Sequence, residues 1–214
     1  METGSWDSHY TRGRSELLYP DENLVRLLST ALPGTEGRSR ITALDLGCGS
    51  GRHLRLLADM GVGRIIGFDA SHGALILSRK AGSSGLVMGN NLSLPFKGDS
   101  ADIVIAWGSL HYNGKPDLPK MLSEIRRILR PGGHFLATLR CSRDTYLKKG
   151  RHLGNDTWVT DLKDIKGSLA SFYDESELRK ELSVFGEFTY ARMERTLMGD
   201  LSSLISHWVI HARK

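Results

Sequence analysis

The first chemical signal in the chain is a set of four residues at alternate positions: Asp45, Gly47, Gly49 and Gly51, in Asp45-Leu46-Gly47-Cys48-Gly49-Ser50-Gly51. The apolar run from Ile41 to Leu46 ahead of them has the length and composition of a buried strand. Behind them, Arg52-His53-Leu54-Arg55-Leu56-Leu57-Ala58 spaces its apolar residues as a helix does. Strand, glycine turn and helix open a nucleotide-binding βαβ unit. Gly47 and Gly49 let the backbone turn tightly and approach a ligand with no Cβ in the way. The dinucleotide fingerprint G-x-G-x-x-G seats a pyrophosphate on the helix N-terminus. Here the third glycine comes one residue early, and Arg52 stands where that fingerprint wants glycine. The Asp45 carboxylate would also repel a pyrophosphate, whereas it suits a ligand carrying an ammonium group. A glycine-rich turn with no ligand is the competing reading.

A second acid closes the next apolar run, Arg64-Ile65-Ile66-Gly67-Phe68-Asp69. A carboxylate at the tip of a second strand offers two oxygens to the two hydroxyls of a ribose. Asp69 could instead cap the following helix, a role Ser71 fills equally well. A third candidate lies after the strand Ala101–Trp107, in Trp107-Gly108-Ser109-Leu110-His111-Tyr112. This stretch falls beyond a strand's carboxyl end, where α/β sheets bind ligands. If a hydroxyl is the reacting group, His111 is the best-placed base; as a packed wall residue it has no such role.

On the motif Asp45-Leu46-Gly47-Cys48-Gly49-Ser50-Gly51, a full match to D/E-x-G-x-G-x-G, the chain resembles the class I S-adenosylmethionine-dependent methyltransferases, the type 11-like domain among them. The resemblance is strong over about residues 40–140 and continues beyond only in element order. It implies S-adenosylmethionine as cofactor, S-adenosylhomocysteine as product, and no metal. It implies a cofactor site of Asp45, Gly47, Gly49, Asp69, Ala70 against the adenine, Asn90, Asn91 and Trp107. In Gly89-Asn90-Asn91-Leu92-Ser93-Leu94-Pro95-Phe96 the family usually carries an acid where Asn90 stands; an amide oxygen still accepts from an adenine amino group, and a plain asparagine turn is the alternative. Members often fold a segment ahead of the first strand over the cofactor as a lid. Tyr10 and Arg14 are the candidates for that, an aromatic cover and a cation for the cofactor's carboxylate.

These residues need a scaffold. The resemblance implies one doubly wound α/β domain, a seven-stranded, mostly parallel sheet with a C-terminal antiparallel hairpin. Residues 1–39 read as a lid segment and helix, and 40–214 as the methyltransferase domain. Helices are expected after an entry at Tyr19-Pro20-Asp21-Glu22, with Leu24, Val25, Leu27, Leu28 and Ala31 as its buried stripe and Pro33-Gly34 ending it, at Ser71–Lys80, at Pro116–Arg130 and from Asp174 to about Phe185; the last opens on a capping-box pattern, Asp174 and Glu177. Closing strands are expected at 187–197 and 204–212. Residues 5–19 show no clear period, and 141–172 read as an irregular insert that sets specificity. Arg143 and Lys148 in that insert, with Tyr112, are candidate acceptor contacts.

At 214 residues the length suits one domain. No apolar run approaches the roughly 18 residues of a membrane span, and the N-terminus lacks a signal-peptide core, so a cytoplasmic protein without membrane contact is expected. Two cysteines far apart argue for free thiols and against zinc. The net charge of +5 is a modest excess. It fits an anionic small molecule, or else an RNA or protein acceptor docked on a basic surface. The N-P-P-Y or D-P-P-Y stretch of DNA amino-methylases is missing after the fourth strand, which argues against a nucleic-acid base. A small-molecule acceptor at oxygen or nitrogen, and a monomer or homodimer, are the expectations; a cofactor-binding module without catalysis is the weaker alternative.

Overall fold

The structure is a computed structural model that describes residues 4–11, 17–83 and 85–214. Among these, ten strands form one continuous sheet. Its main part runs in the order β3 (Leu86–Met88), β2 (Arg64–Asp69), β1 (Thr42–Leu46), β4 (Ala101–Ala106), β5 (Leu129–Cys141), β10 (Asp200–Arg213), β9 (Glu187–Leu197). Pairing is parallel up to β5, and β10 is antiparallel to both β5 and β9. This is the seven-stranded α/β sheet with a closing hairpin that the sequence implies.

Register brings the site strands to a common edge. Asp45 lies beside Gly67 on one side and Ile105 on the other, and Leu46 beside Phe68. Strand β1 is buried along its whole length, as a central parallel strand must be. Both faces of the sheet are covered. On one, α5 (Leu118–Ile128) and α6 (Glu175–Leu182) press Met121, Leu122, Ile125, Leu178 and Leu182 onto Leu46, Val104 and Phe135. On the other, α2 (Glu22–Ala31) and α3 (Arg52–Asp59) bring Leu24, Leu28 and Leu57 against Ala43, Ile103, Ile105 and Leu136. Local chemistry sets the helix starts. The Asp21 side chain accepts the Asn23 N–H at 2.9 Å, Ser71 accepts from Ala74 at the head of α4 (His72–Lys80), and Asp174 and Glu177 form the full capping box of α6. No helix among the described residues is long and apolar enough to cross a membrane.

The structure departs from the sequence reading in two segments. Residues 4–11, expected to be irregular, form a short helix, α1 (Gly4–Thr11). The insert, expected to lack regular structure, holds an antiparallel sheet of β6 (Gly150–Gly154), β7 (Thr157–Thr160) and β8 (Leu169–Tyr173). Strand β8 joins β5 at Arg140 and Cys141, just past the end of β4. Asn155 and Asp156 both take positive φ, 47° and 43°, as the centre of a type I′ hairpin requires. Two boundaries also differ: α5 begins at Leu118 after a 3₁₀ turn, and β5 begins directly at its end.

Leu28 is fully buried where α2 meets the sheet. Leu28→Ala should lower unfolding stability by about 3 kcal/mol, measured by urea denaturation; a loss of less than about 1 kcal/mol would mean that α2 is not packed as described.

Candidate active site

The turn after β1 is shaped by what presses on it. Gly47 has φ +76°, and a Cβ there would sit 2.4 Å from Cβ of Ser109. Ser109 crosses over from the end of β4 and donates its hydroxyl to the Leu46 carbonyl at 2.7 Å. Gly49 has φ +54°, and a Cβ on it would sit 2.7 Å from the Tyr10 hydroxyl. A Cβ on Gly51 would meet Ser78 of α4 at 2.6 Å. The three glycines thus clear the β4 loop, the face beneath α1, and the neighbouring helix.

Asp45 is fully buried beneath this turn, and neither of its oxygens has a hydrogen-bond partner among the described residues. The His53 ring nitrogen Nδ1 lies 3.5 Å from Oδ2. Asp69, at the tip of β2, accepts the Gly49 N–H on Oδ2 and the Ser71 N–H on Oδ1, both at 2.9 Å. Each oxygen keeps lone-pair capacity for one further donor. Burial raises the Asp69 carboxyl above its usual range, against the opposing pull of these N–H groups. Ala70, next to it, is exposed.

Helix α1 lies over this cluster. The Asp7 carboxylate accepts from the Ser71 hydroxyl and from Gly73 N–H at 3.1 Å, at the head of α4. His9 is hydrogen-bonded to the Asp164 carbonyl of the insert. Tyr10 stands over Gly49, and burial together with the Asp69 charge raises its phenol pKa. Trp6, one helical turn earlier, packs edge-on against Tyr112 with ring centroids 4.7 Å apart. Arg14 lies outside the described residues.

The other sequence candidates divide. Asn90 is exposed, and its side-chain oxygen accepts from Leu92 N–H at 2.9 Å, so it is already engaged in a turn; Asn91 beside it is half-buried. The Trp107 side chain belongs to the apolar core beneath α2 and is 7% exposed, so only its backbone is left for a ligand. Arg143 pairs with Glu194 at 2.9 Å on the surface. Lys148 pairs with Asp156 at 2.7 Å and lies over the Phe172 ring. Neither cation is bonded to the Gly47–Asp69 cluster. The His111 and Tyr112 rings lie 4.4 Å apart, tilted by 45°, at the carboxyl end of β4. His111 is 1% exposed, and burial, with Arg140 and His207 nearby, holds its pKa well below the usual imidazole value. The sequence reading missed Trp6, Arg140, Asp144 and His207. The signal for Arg140 and His207 is strand alternation, visible only once β5 and β10 are known to pair.

Residues 44–137 match the family described as methyltransferase domain. That match spans β1 to the middle of β5, and with it the glycine turn and Asp69. It is 35% identical over 141 residues to 2-phytyl-1,4-naphtoquinone methyltransferase of Synechococcus elongatus, covering 61% of this chain and 57% of that one. It is 33% identical over 140 residues to human arginine-hydroxylase NDUFAF5, mitochondrial, covering 58% and 40%. The chain thus spans about two-fifths to three-fifths of these relatives' length. The methyltransferase fold is also that of a SAM-dependent methyltransferase crystal structure from Methanosarcina mazei, at TM-score 0.66 and 19% identity, covering 87% of this chain and 96% of that one.

Two measurements check the site. Gly47→Ala combines positive φ with the Ser109 clash and should lose about 2–4 kcal/mol of unfolding stability; a loss under about 1 kcal/mol would show the turn to be slack. His207 is pushed down to about 3 by burial, Arg140 and Arg195. Unfolded histidine takes a proton near pH 6.5, so wild-type stability should fall as pH drops below that value and keep falling toward pH 3. Between pH 7.5 and 4.5 the wild type should lose about 2–3 kcal/mol more than His207→Gln; parallel losses in urea titrations would refute the burial.

Proposed function

We propose that the protein transfers a methyl group from S-adenosylmethionine to an oxygen or nitrogen of a small-molecule acceptor. The observation that carries this reading is the pair of acids at neighbouring strand tips, Asp45 and Asp69, with the glycine turn held between them by the bond from Gly49 N–H to Asp69. The residues present fit the cofactor. Asp69 takes the ribose hydroxyls on its remaining lone pairs, exposed Ala70 lies against the adenine, and Gly47 and Gly49 let the backbone approach the amino-acid end. The unpartnered Asp45 carboxylate beneath the turn supplies a negative field that suits an ammonium and a sulfonium.

S-adenosylmethionine bound there supplies a methyl group already activated on sulfur, so the protein's task is positioning and exclusion of water. Tyr10 covers the glycine turn, and Trp6 and Tyr112 wall the space where an acceptor would enter. A macromolecular acceptor has less support: the cations that suggested it, Arg143 and Lys148, are each paired with a carboxylate.

Calorimetric titration with S-adenosylmethionine tests the reading, joined to methyl-transfer assays against metabolite extracts. The wild type should bind, and Asp69→Ala should bind about 2 kcal/mol more weakly, roughly thirtyfold. An absence of binding by the wild type, or equal affinity in Asp69→Ala, would sink it.

A further inference from the structure

Beneath α1 and beyond the carboxyl ends of β4 and β5, four buried polar atoms have no partner among the described residues. They are both ring nitrogens of His111, Nε of Arg140 and Nδ1 of His207. They belong to one cluster. Arg140 and His207 face each other across β5 and β10, and the His111 and His207 rings are 6.1 Å apart. The Tyr112 ring lies against His111 at 4.4 Å, tilted by 45°, and also meets Trp6 edge-on. Arg140 is 8% exposed and cannot swing away. Its Nη1 donates to Asp144 Oδ2 at 2.6 Å, and the fully buried Asp144 also accepts the N–H groups of Leu147 and Ser206, each at 2.9 Å. Buried donors and acceptors are rarely left unpaired without a reason. Among the described residues, neither α1 nor the insert supplies the missing partners.

We propose that Arg140, His111 and His207 form the acceptor subsite, and that it takes a planar ring bearing an acidic hydroxyl, a phenol or an enol, rather than an amine. This rests on the methyl-transfer reading above and narrows it from oxygen or nitrogen to oxygen. A guanidinium has donors only. A hydroxyl oxygen has two lone pairs, one to attack the methyl and one to accept from Arg140 Nε–H, whereas a neutral amine has a single lone pair that the transfer uses up, leaving that donor unpaired. The imidazoles supply the matching acceptor for the hydroxyl proton. The aromatic rings of Trp6 and Tyr112 border the cluster and suit a flat acceptor ring alongside them. Asp144 already neutralises Arg140, so the subsite does not call for an acceptor with a standing negative charge.

In the transfer step the acceptor's O–H bond breaks and its proton passes to a ring nitrogen of His111. An oxygen lone pair forms the bond to the methyl carbon, and the electron pair of the broken C–S bond stays on sulfur as a neutral thioether. Groups facing His111 are Arg140 from β5, His207 from β10 and Tyr112 from its own turn. Two of them disfavour a charged imidazolium, which makes His111 a weak base. A weak base needs an acidic partner, and that selects a phenol or enol over an aliphatic alcohol.

The test uses the full chain loaded with S-adenosylhomocysteine and titrated separately with 4-nitrophenol and 4-nitroaniline, followed by absorbance. 4-Nitrophenol should bind about tenfold or more tightly. Equal affinity for the two, or no binding of 4-nitrophenol, overturns the proposal. In Arg140→Gln the preference should disappear, while affinity for S-adenosylhomocysteine stays within about twofold. Should Arg140→Gln lack a cooperative unfolding transition, Arg140→Lys keeps a charge beside Asp144, lacks the Nε donor, and should show the same loss. His111→Gln should lower kcat for 4-nitrophenol methylation with little change in KM; an unchanged kcat overturns the proton transfer. If the wild type binds 4-nitrophenol but not S-adenosylhomocysteine, the methyl-transfer reading fails and the subsite stands as a binding site alone.

Discussion

The Asp69 carboxylate is the joint on which the site hangs. One oxygen holds the N–H of Gly49 and the other the N–H of Ser71. The first fixes the turn after β1, and the second fixes the entry to α4. Ser71 then caps α4 through Ala74 and donates to Asp7 of α1. A single buried side chain thus connects the end of the central strand, the neighbouring helix and the segment that lies over both. Charge-assisted bonds of this kind are the strong ones, and in a site this buried they have little competition from water. The Gly49 position closes the circuit, because its missing Cβ is where the Tyr10 hydroxyl comes down.

The two faces of the sheet do different work. Along β5, Phe135, Leu139 and Cys141 point into the apolar layer under α5 and α6, without a polar break. Leu136, Thr138 and Arg140 take the opposite face, and there the character changes along the strand. Leu136 is still core. Thr138 is buried but uses its hydroxyl oxygen to accept the Gly108 N–H at 2.9 Å, holding the loop that leads to Ser109 and His111. Arg140 is the first charged residue, one step beyond the reach of β4. Period-two alternation therefore turns a gradient along one strand into a boundary between core and pocket.

How much of this the sequence disclosed depends on whether the information was local. The glycine turn, the acid closing β2, the caps of α4 and α6 and the order of strands all rest on residues close in the chain, and they are legible there. Helix α1 was not, because its contacts come from the polar Asp7 and His9 as well as from Trp6 and Tyr10, and such a mixture shows no apolar helical period. The insert strands were not, because β6 is exposed throughout and so has no inward side to alternate with. Its one local sign, Asn155-Asp156 at the hairpin tip, reads as any polar loop until the positive φ values are seen. Trp107 and the basic residues fail differently. Whether an indole ends in core or in a site, and whether Arg143 meets Glu194, is decided by chain far away in sequence.

The pairing of Arg140 with Asp144 sharpens the contrast between structural and functional polarity. A buried ion pair kept only for stability gains nothing over well-packed apolar side chains. Here Asp144 is fully satisfied, by Arg140, Leu147 and Ser206, and so serves as a fixed abutment. The guanidinium is held by Asp144, also engages the Tyr112 hydroxyl, and is left unmet at Nε, beside two imidazoles whose burial disfavours their charged forms. A pair optimised for the free protein would satisfy the donor as well as the acceptor. A pair optimised for a bound oxygen satisfies the acceptor, locks the donor in place, and leaves its last N–H pointing at a group that has yet to arrive. That asymmetry distinguishes this cluster from Arg130 with Asp102, half-exposed at the opposite end of β4, where the carboxylate also accepts the Thr42 N–H and the guanidinium also donates its Nε–H to the Asp99 carbonyl.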